Sequence, residues 1–201
     1  MDAGAALFAG LVAGLAIAMQ VGAVSLLLIE AAVVRGPRIG LAAGMGVATA
    51  DLTYATIAAL AGGAVGAALS SHETEIKLLA AVVLAAIAVH GLLRSASGDL
   101  GGAPEWGTPA GHYARFLAIT MANPLTIASF AAVAAAISLD GPSAAVAFAA
   151  GVGVASAAWH VGLTLAAGHA GRWITPRIRR GLAVGGRLLI LAIAVHLAAG
   201  A

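Results

Sequence analysis

AAGMGVATADLTYATIAALA (Ala42 to Ala61) lies without a gap on AAGVGVASAAWHVGLTLAAG (Ala149 to Gly168). The two stretches are copies of one apolar segment, each long enough to cross a bilayer at about 20 residues per span. They differ where chemistry is concentrated. The first carries Asp51, and the second has Ala158 at that place; Thr53 is matched by His160. A duplicated half within a membrane chain points to a small-solute transporter whose site lies where the halves meet.

The repeat extends outward from this pair. AIAVHGLL (Ala86 to Leu93) is matched by AIAVHLAA (Ala192 to Ala199), and AMQVGAVS (Ala18 to Ser25) can be set on TMANPLTIAS (Thr120 to Ser129). Each half therefore holds three hydrophobic segments. An odd number per half turns the second half upside down relative to the first. The expected fold class is all-α integral membrane, with six transmembrane helices as two inverted three-helix repeats. The first repeat covers 1–94 and the second 115–201. SASGDLGGAPEWGTPAGHYA (Ser95 to Ala114) joins them as a flexible cytoplasmic linker, because Gly, Pro and Ser dominate it.

Composition agrees. The chain is 62% hydrophobic and 9% charged, against about 25% charge in soluble domains. Six stretches reach spanning length, near 5–29, 40–66, 76–93, 115–138, 143–169 and 182–199. So little lies outside them that no soluble domain is left to house an enzyme, and no nucleophile–base pair is visible. Asp2 is the only charge before the first apolar run, and that run is too long for a signal-peptide core. Cysteine is absent, which excludes disulfides, thiol redox chemistry and zinc–thiolate sites. The histidines are too dispersed for a metal site, and no cofactor is implied. The net charge of +2 does not suggest nucleic acid.

The polar residues inside the apolar segments carry the functional reading. Asp51 sits about 16 Å or more from either end of its segment at 1.5 Å per residue. A carboxylate at that depth costs several kcal/mol unless it is paired, hydrated or protonated. It reads as a proton- or cation-binding acid in a polar cavity, or as a structural hydrogen-bonded acid. Tyr54, three residues on, shares its helix face. In the fourth segment, Pro124 has no N–H to offer the carbonyl of Thr120. The helix should kink or unwind there, placing Thr120, Asn123 and Thr126 at a cavity. Gln20 and Gly22 are the counterparts in the first segment, where Gly22 bends the chain less forcefully than a proline. His160 is either a proton relay or a packing histidine. Glu30 and Arg187 stand at matching depth and opposite charge, as an ion pair or as two side chains that snorkel separately. His90 and His196 read as interfacial.

Glycines recur every fourth residue at Gly10/Gly14, Gly36/Gly40/Gly44 and Gly62/Gly66. Small residues at that spacing let helices approach closely in lipid, in a tight bundle or a dimer seam. Trp106, His112 and Tyr113 read as interfacial anchors or inert loop, and the basic stretch Gly171 to Gly181 as a segment touching anionic lipid.

Taken together the motifs resemble the LysE/RhtB superfamily of bacterial amino-acid exporters. Gln20 to Val24 stands at the family's proline–glycine–proline break, with Val21 and Ala23 in place of the prolines. Gly40 to Tyr54 matches its glycine-rich second helix, Thr120 to Phe130 its Asn–Pro motif, and Gly153 to Trp159 its fifth-helix pattern. The resemblance implies export of an amino acid or similar small metabolite across the bacterial inner membrane. Export would be driven by a proton or other cation gradient, from a homo-oligomer such as a dimer. A metal-cation exporter of the same superfamily and a non-transporting membrane scaffold are the competing readings.

Nine of the ten cationic side chains, Arg35, Arg38, Arg94, Arg115, Arg172, Arg177, Arg179, Arg180 and Arg187, fall on one side of this topology; Lys77 falls on the other. The positive-inside rule makes the first side cytoplasmic and sends both termini outward. A reporter fused to the C-terminus should be active only when it matures outside the cytoplasm. Cytoplasmic reporter activity at that position overturns the topology.

Overall fold

The computed structural model describes residues 1–61 apart from Val21, residues 107–171, and scattered positions at 74–93, 173–175 and 181–199. The expected third segment of each half falls mostly outside this set, as do the linker through Trp106 and the residues His90, Arg187 and His196. Among the described residues there are six α-helices and no strand: α1 (Ala3–Ala18), α2 (Ala23–Arg35), α3 (Pro37–Ala61), α4 (Pro109–Met121), α5 (Pro124–Ala136) and α6 (Pro142–Ala170).

The first and fourth expected segments are each two helices. α1 and α2 meet at 76°, and α4 and α5 at 61°. The bend at the fourth segment follows from Pro124, which opens α5 at its first turn, where a missing N–H costs nothing. The bend at the first segment is the sharper of the two, although it has no proline. Gly22 takes an extended conformation (φ −134°, ψ −169°) as the N-cap of α2. Two sequence boundaries also move. α2 runs on to Arg35, and α4 begins at Pro109, where Thr108 caps it by accepting from the Gly111 N–H.

Only α6 among the described helices is by itself long and apolar enough to cross a membrane, and up to three spans result if each bent pair counts as one. α3 has the length, at 25 residues, but Asp51, Tyr54 and its threonines dilute its apolar character.

Gly36 (φ +90°) and Gly141 (φ +87°) each precede the proline that starts α3 or α6. A residue before proline is driven out of the helical region, and positive φ suits only glycine. One Gly–Pro pair therefore launches the long helix of each half.

α3 and α6 pack on each other. α1 lies along α6, and α4 lies along α3. The first helix of each half thus covers the long helix of the other half. Glycine makes these approaches possible. A Cβ on Gly10 would run into the backbone of Phe148, one on Gly14 into Val152, and one on Gly151 into Leu7 and Leu11. On the other side, a Cβ on Gly46 would meet the backbone of Tyr113 and Leu117, while Gly40 and Gly44 face Ala32, Thr164 and His160. The glycine spacing expected to mark a bundle or a dimer seam is therefore used within the chain at Gly10, Gly14, Gly40 and Gly44. Around these seams, Phe148, Val152, Phe130 and Ala6 form one apolar core, and Leu28, Val47 and Phe116 form another.

Gly10→Ala and Gly151→Ala should each lower the stability of the purified protein by about 1–3 kcal/mol, because the added methyl meets backbone that cannot move aside. Gly4→Ala, whose methyl meets only Asp2 at an ordinary 3.5 Å, should not. Equal thermal midpoints in detergent for all three would refute the close helix approach.

Candidate functional site

Both breaks open on one cavity. Its volume is about 40 Å³, room for about three waters. Of the residues singled out from sequence, Gln20, Gly22, Asp51, Thr120, Asn123, Thr126 and His160 line it. These come from both halves of the chain: from the two breaks and from α3, α4, α5 and α6. Ile17, Ala18, Val24, Val47 and Leu125 add apolar wall, and Ser25 adds a hydroxyl. Tyr54 stands off the cavity, as described below. Pro124 starts α5 at its edge. Glu30 lies on α2, and its expected partner Arg187 is outside the described residues.

Asp51 is the fifteenth of the 25 residues of α3 and is 3% exposed. Its Oδ2 accepts from the hydroxyl of Ser156 on α6 at 2.6 Å, a short hydrogen bond. Ser156 is fully buried and also lies 3.2 Å from Nδ1 of His160. The same Nδ1 is 2.9 Å from the Ser156 carbonyl. A carbonyl can only accept, so Nδ1 carries a proton, and in the neutral ring Nε2 is left as the acceptor. His160 is therefore held by its own helix and forms part of the cavity wall. Ser156 was not singled out from sequence. It is the repeat counterpart of Thr49, and that alignment was the available signal.

The breaks are hydrogen-bonded rather than loose. At the second, the Thr120 carbonyl that proline deprives of its usual partner accepts instead from the Asn123 N–H at 3.0 Å. The Leu125 N–H, the helical partner of the Met121 carbonyl, is diverted to Asn123 Oδ1. The Tyr54 hydroxyl takes its place on the Met121 carbonyl at 2.5 Å, and the Tyr54 ring stacks on Phe130 with centroids 5.8 Å apart. Tyr54 is thus a brace for the break and not part of the cavity wall. Asn123 is engaged twice in capping, since its amide also donates to Thr126 at 2.9 Å. At the first break, Ser25 donates to the Gln20 carbonyl at 3.1 Å. The Gln20 side chain accepts from Ser129 of α5 at 3.3 Å and so ties the first break to α5.

One polar atom of the wall is left over. Thr120 Oγ1 is buried, with its residue 1% exposed, and it has no partner among the described residues.

Tyr54→Phe keeps the stacked ring and removes the hydroxyl, leaving the Met121 carbonyl unpaired. The expected loss is about 1–3 kcal/mol of stability, read from thermal unfolding in detergent. A wild-type midpoint in this variant would show that the break does not depend on Tyr54.

Comparison with curated proteins gives no match, and comparison with solved structures gives none. A family model described as LysE type translocator matches residues 15–200. That range takes in both breaks, Asp51 and the α6 network, and the helices of the described residues and the apolar composition agree with it. The chain belongs to the LysE type translocator family of multi-pass membrane proteins.

Proposed function

We propose that the protein is a secondary active exporter of amino acids or related small metabolites in the bacterial inner membrane. Export runs as proton- or cation-coupled antiport through a mid-membrane site at the interface of two inverted repeats. The observation that carries this reading is the position of Asp51: an acid near the middle of its helix, buried in a polar cavity lined by both broken segments. A carboxyl group at mid-membrane is costly, and here it faces a water-sized space, with no ion-pair partner among the described residues. A proton, a coupling cation or the ammonium group of a solute can each meet it there.

The proposed repeat frame is residues 1–94 and 115–201, each contributing three of six spans, joined by 95–114, with both termini outside. The reciprocal cover of α6 by α1 and of α3 by α4 supports it, as does the shared Gly–Pro start of α3 and α6. The N-terminal amine binds the Asp140 carboxylate at 2.9 Å, so the N-terminus and the α5–α6 connection lie at the same end of the bundle. At the other end, Gly168 and Gly171 approach Pro37 and Val33, beside Arg35 and Arg38. The charge asymmetry supports a cytoplasmic position for that end.

The test is uptake of a panel of labelled amino acids into inside-out vesicles, with and without a proton gradient. Wild type should accumulate one class when the gradient is present, and Asp51→Asn, folded and inserted, should lose gradient-driven accumulation. Uptake that is unaffected in Asp51→Asn returns the acid to a structural role. No uptake of any amino acid removes the amino-acid reading.

A further inference from the structure

The two helices that begin at the breaks differ at their N-termini. α5 is capped: Asn123 accepts the Leu125 N–H at 3.3 Å. α2 is not, because its N-cap is Gly22 and no side chain caps it. α2 is a full helix of 13 residues, so its first turn presents N–H groups that no side chain among the described residues caps, together with the positive end of the helix dipole. That turn, through Gly22, Val24 and Ser25, forms part of the cavity wall.

Two further observations point to a ligand there. Thr120 Oγ1 is buried and unpartnered in the same wall, and such a group is costly unless something occupies its hydrogen bond. The described lining also holds an acid, Asp51, and no Lys or Arg. An anionic group entering this cavity therefore has no side-chain cation to meet. Asp51, Thr120 and the first turn of α2 line this one cavity.

We infer that the first turn of α2, with the Thr120 hydroxyl, is the carboxylate subsite for a zwitterionic α-amino acid whose ammonium group binds Asp51. This rests on the reading of the chain as an amino-acid exporter and deepens it, because it assigns each pole of the solute. The anion sits at the uncapped helix end, where N–H groups and dipole favour it. Thr120 donates its free hydroxyl to the same carboxylate. Asn123 has spent its oxygen on α5, so that helix end is closed to an anion. The absence of a side chain at residue 22 leaves the α2 N–H groups for the ligand, whereas Asp, Asn, Ser or Thr would occupy them.

Gly22 allows a direct test. Its φ is negative and extended, and a Cβ there would meet only Leu125 at an ordinary 3.7 Å, so a Cβ is accommodated. Gly22→Asp would supply the missing cap and place its own carboxylate in the subsite. Gly22→Ala adds the Cβ without the charge. The amino acid that wild-type inside-out vesicles accumulate best serves as the labelled probe, and its own carboxamide, which keeps the ammonium and lacks the carboxylate, serves as competitor. The KM of Gly22→Asp should exceed that of Gly22→Ala by about tenfold, and the carboxamide should compete relatively better in Gly22→Asp than in Gly22→Ala. Thr120→Val, similar in shape, should raise KM for the amino acid and not weaken inhibition by the carboxamide. Equal KM values and equal carboxamide inhibition in the two Gly22 variants overturn this subsite while leaving the exporter intact. If Gly22→Asp fails to insert, unchanged KM in Thr120→Val overturns it. Wild-type vesicles that accumulate no amino acid overturn the parent reading and the subsite with it.

Discussion

The hydrogen bond from Ser156 to Asp51 is the contact on which the site depends. It joins the two long helices at the level of the cavity and gives a buried carboxylate a partner from the other half of the chain. Without a partner, an acid at that depth would have to be neutral or drag water into the bundle. With one, it stays in place and still faces the cavity. His160, one turn on from Ser156, is held to the same helix by the Ser156 carbonyl. The network is therefore anchored from α6 and presented to α3.

A second constraint shapes everything around it: in lipid, backbone polar groups must be satisfied within the protein. The two breaks disturb their helices near the cavity, and each is repaired by a hydroxyl. Ser25 serves the Gln20 carbonyl and Tyr54 serves the Met121 carbonyl. Asn123 turns the proline break into an orderly helix start by capping α5. The repairs are unequal at the helix N-termini, and this asymmetry distinguishes the two walls of the cavity. Close packing of α1 on α6 and of α4 on α3, through Gly10, Gly14, Gly151 and Gly46, brings the breaks to one place.

Much of this was legible in the chain itself. Asp51, Asn123–Pro124 and the counterpart Gln20–Gly22 stand out because polar or helix-breaking residues are costly in apolar segments, and Asp51, Asn123, Gln20 and Gly22 line one cavity. The resemblance of these motifs to the LysE superfamily agrees with the family match over residues 15–200. The residues that sequence placed less well are those whose role depends on a distant partner. Tyr54 shares a helix face with Asp51, yet its hydroxyl is drawn to a carbonyl on α4, because Asn123 Oδ1 takes that carbonyl's own partner, the Leu125 N–H. Ser156 looked like an ordinary small residue until α3 packed beside α6. The glycine stripes allowed either a dimer seam or an internal one, since spacing alone does not say which surface a helix will meet.

Local chemistry, then, was determined by sequence: where helices start at Gly–Pro, where they break, and where the one mid-segment acid lies. These follow from backbone hydrogen bonding and the cost of charge in lipid, which act within a few residues. The tertiary structure decided which hydroxyl reaches which acid or carbonyl, which half covers which long helix, and which helix end stays open to the cavity. Those outcomes arise from contacts between residues about a hundred positions apart, such as Asp51 and Ser156. No local propensity encodes them; they exist only once the helices pack.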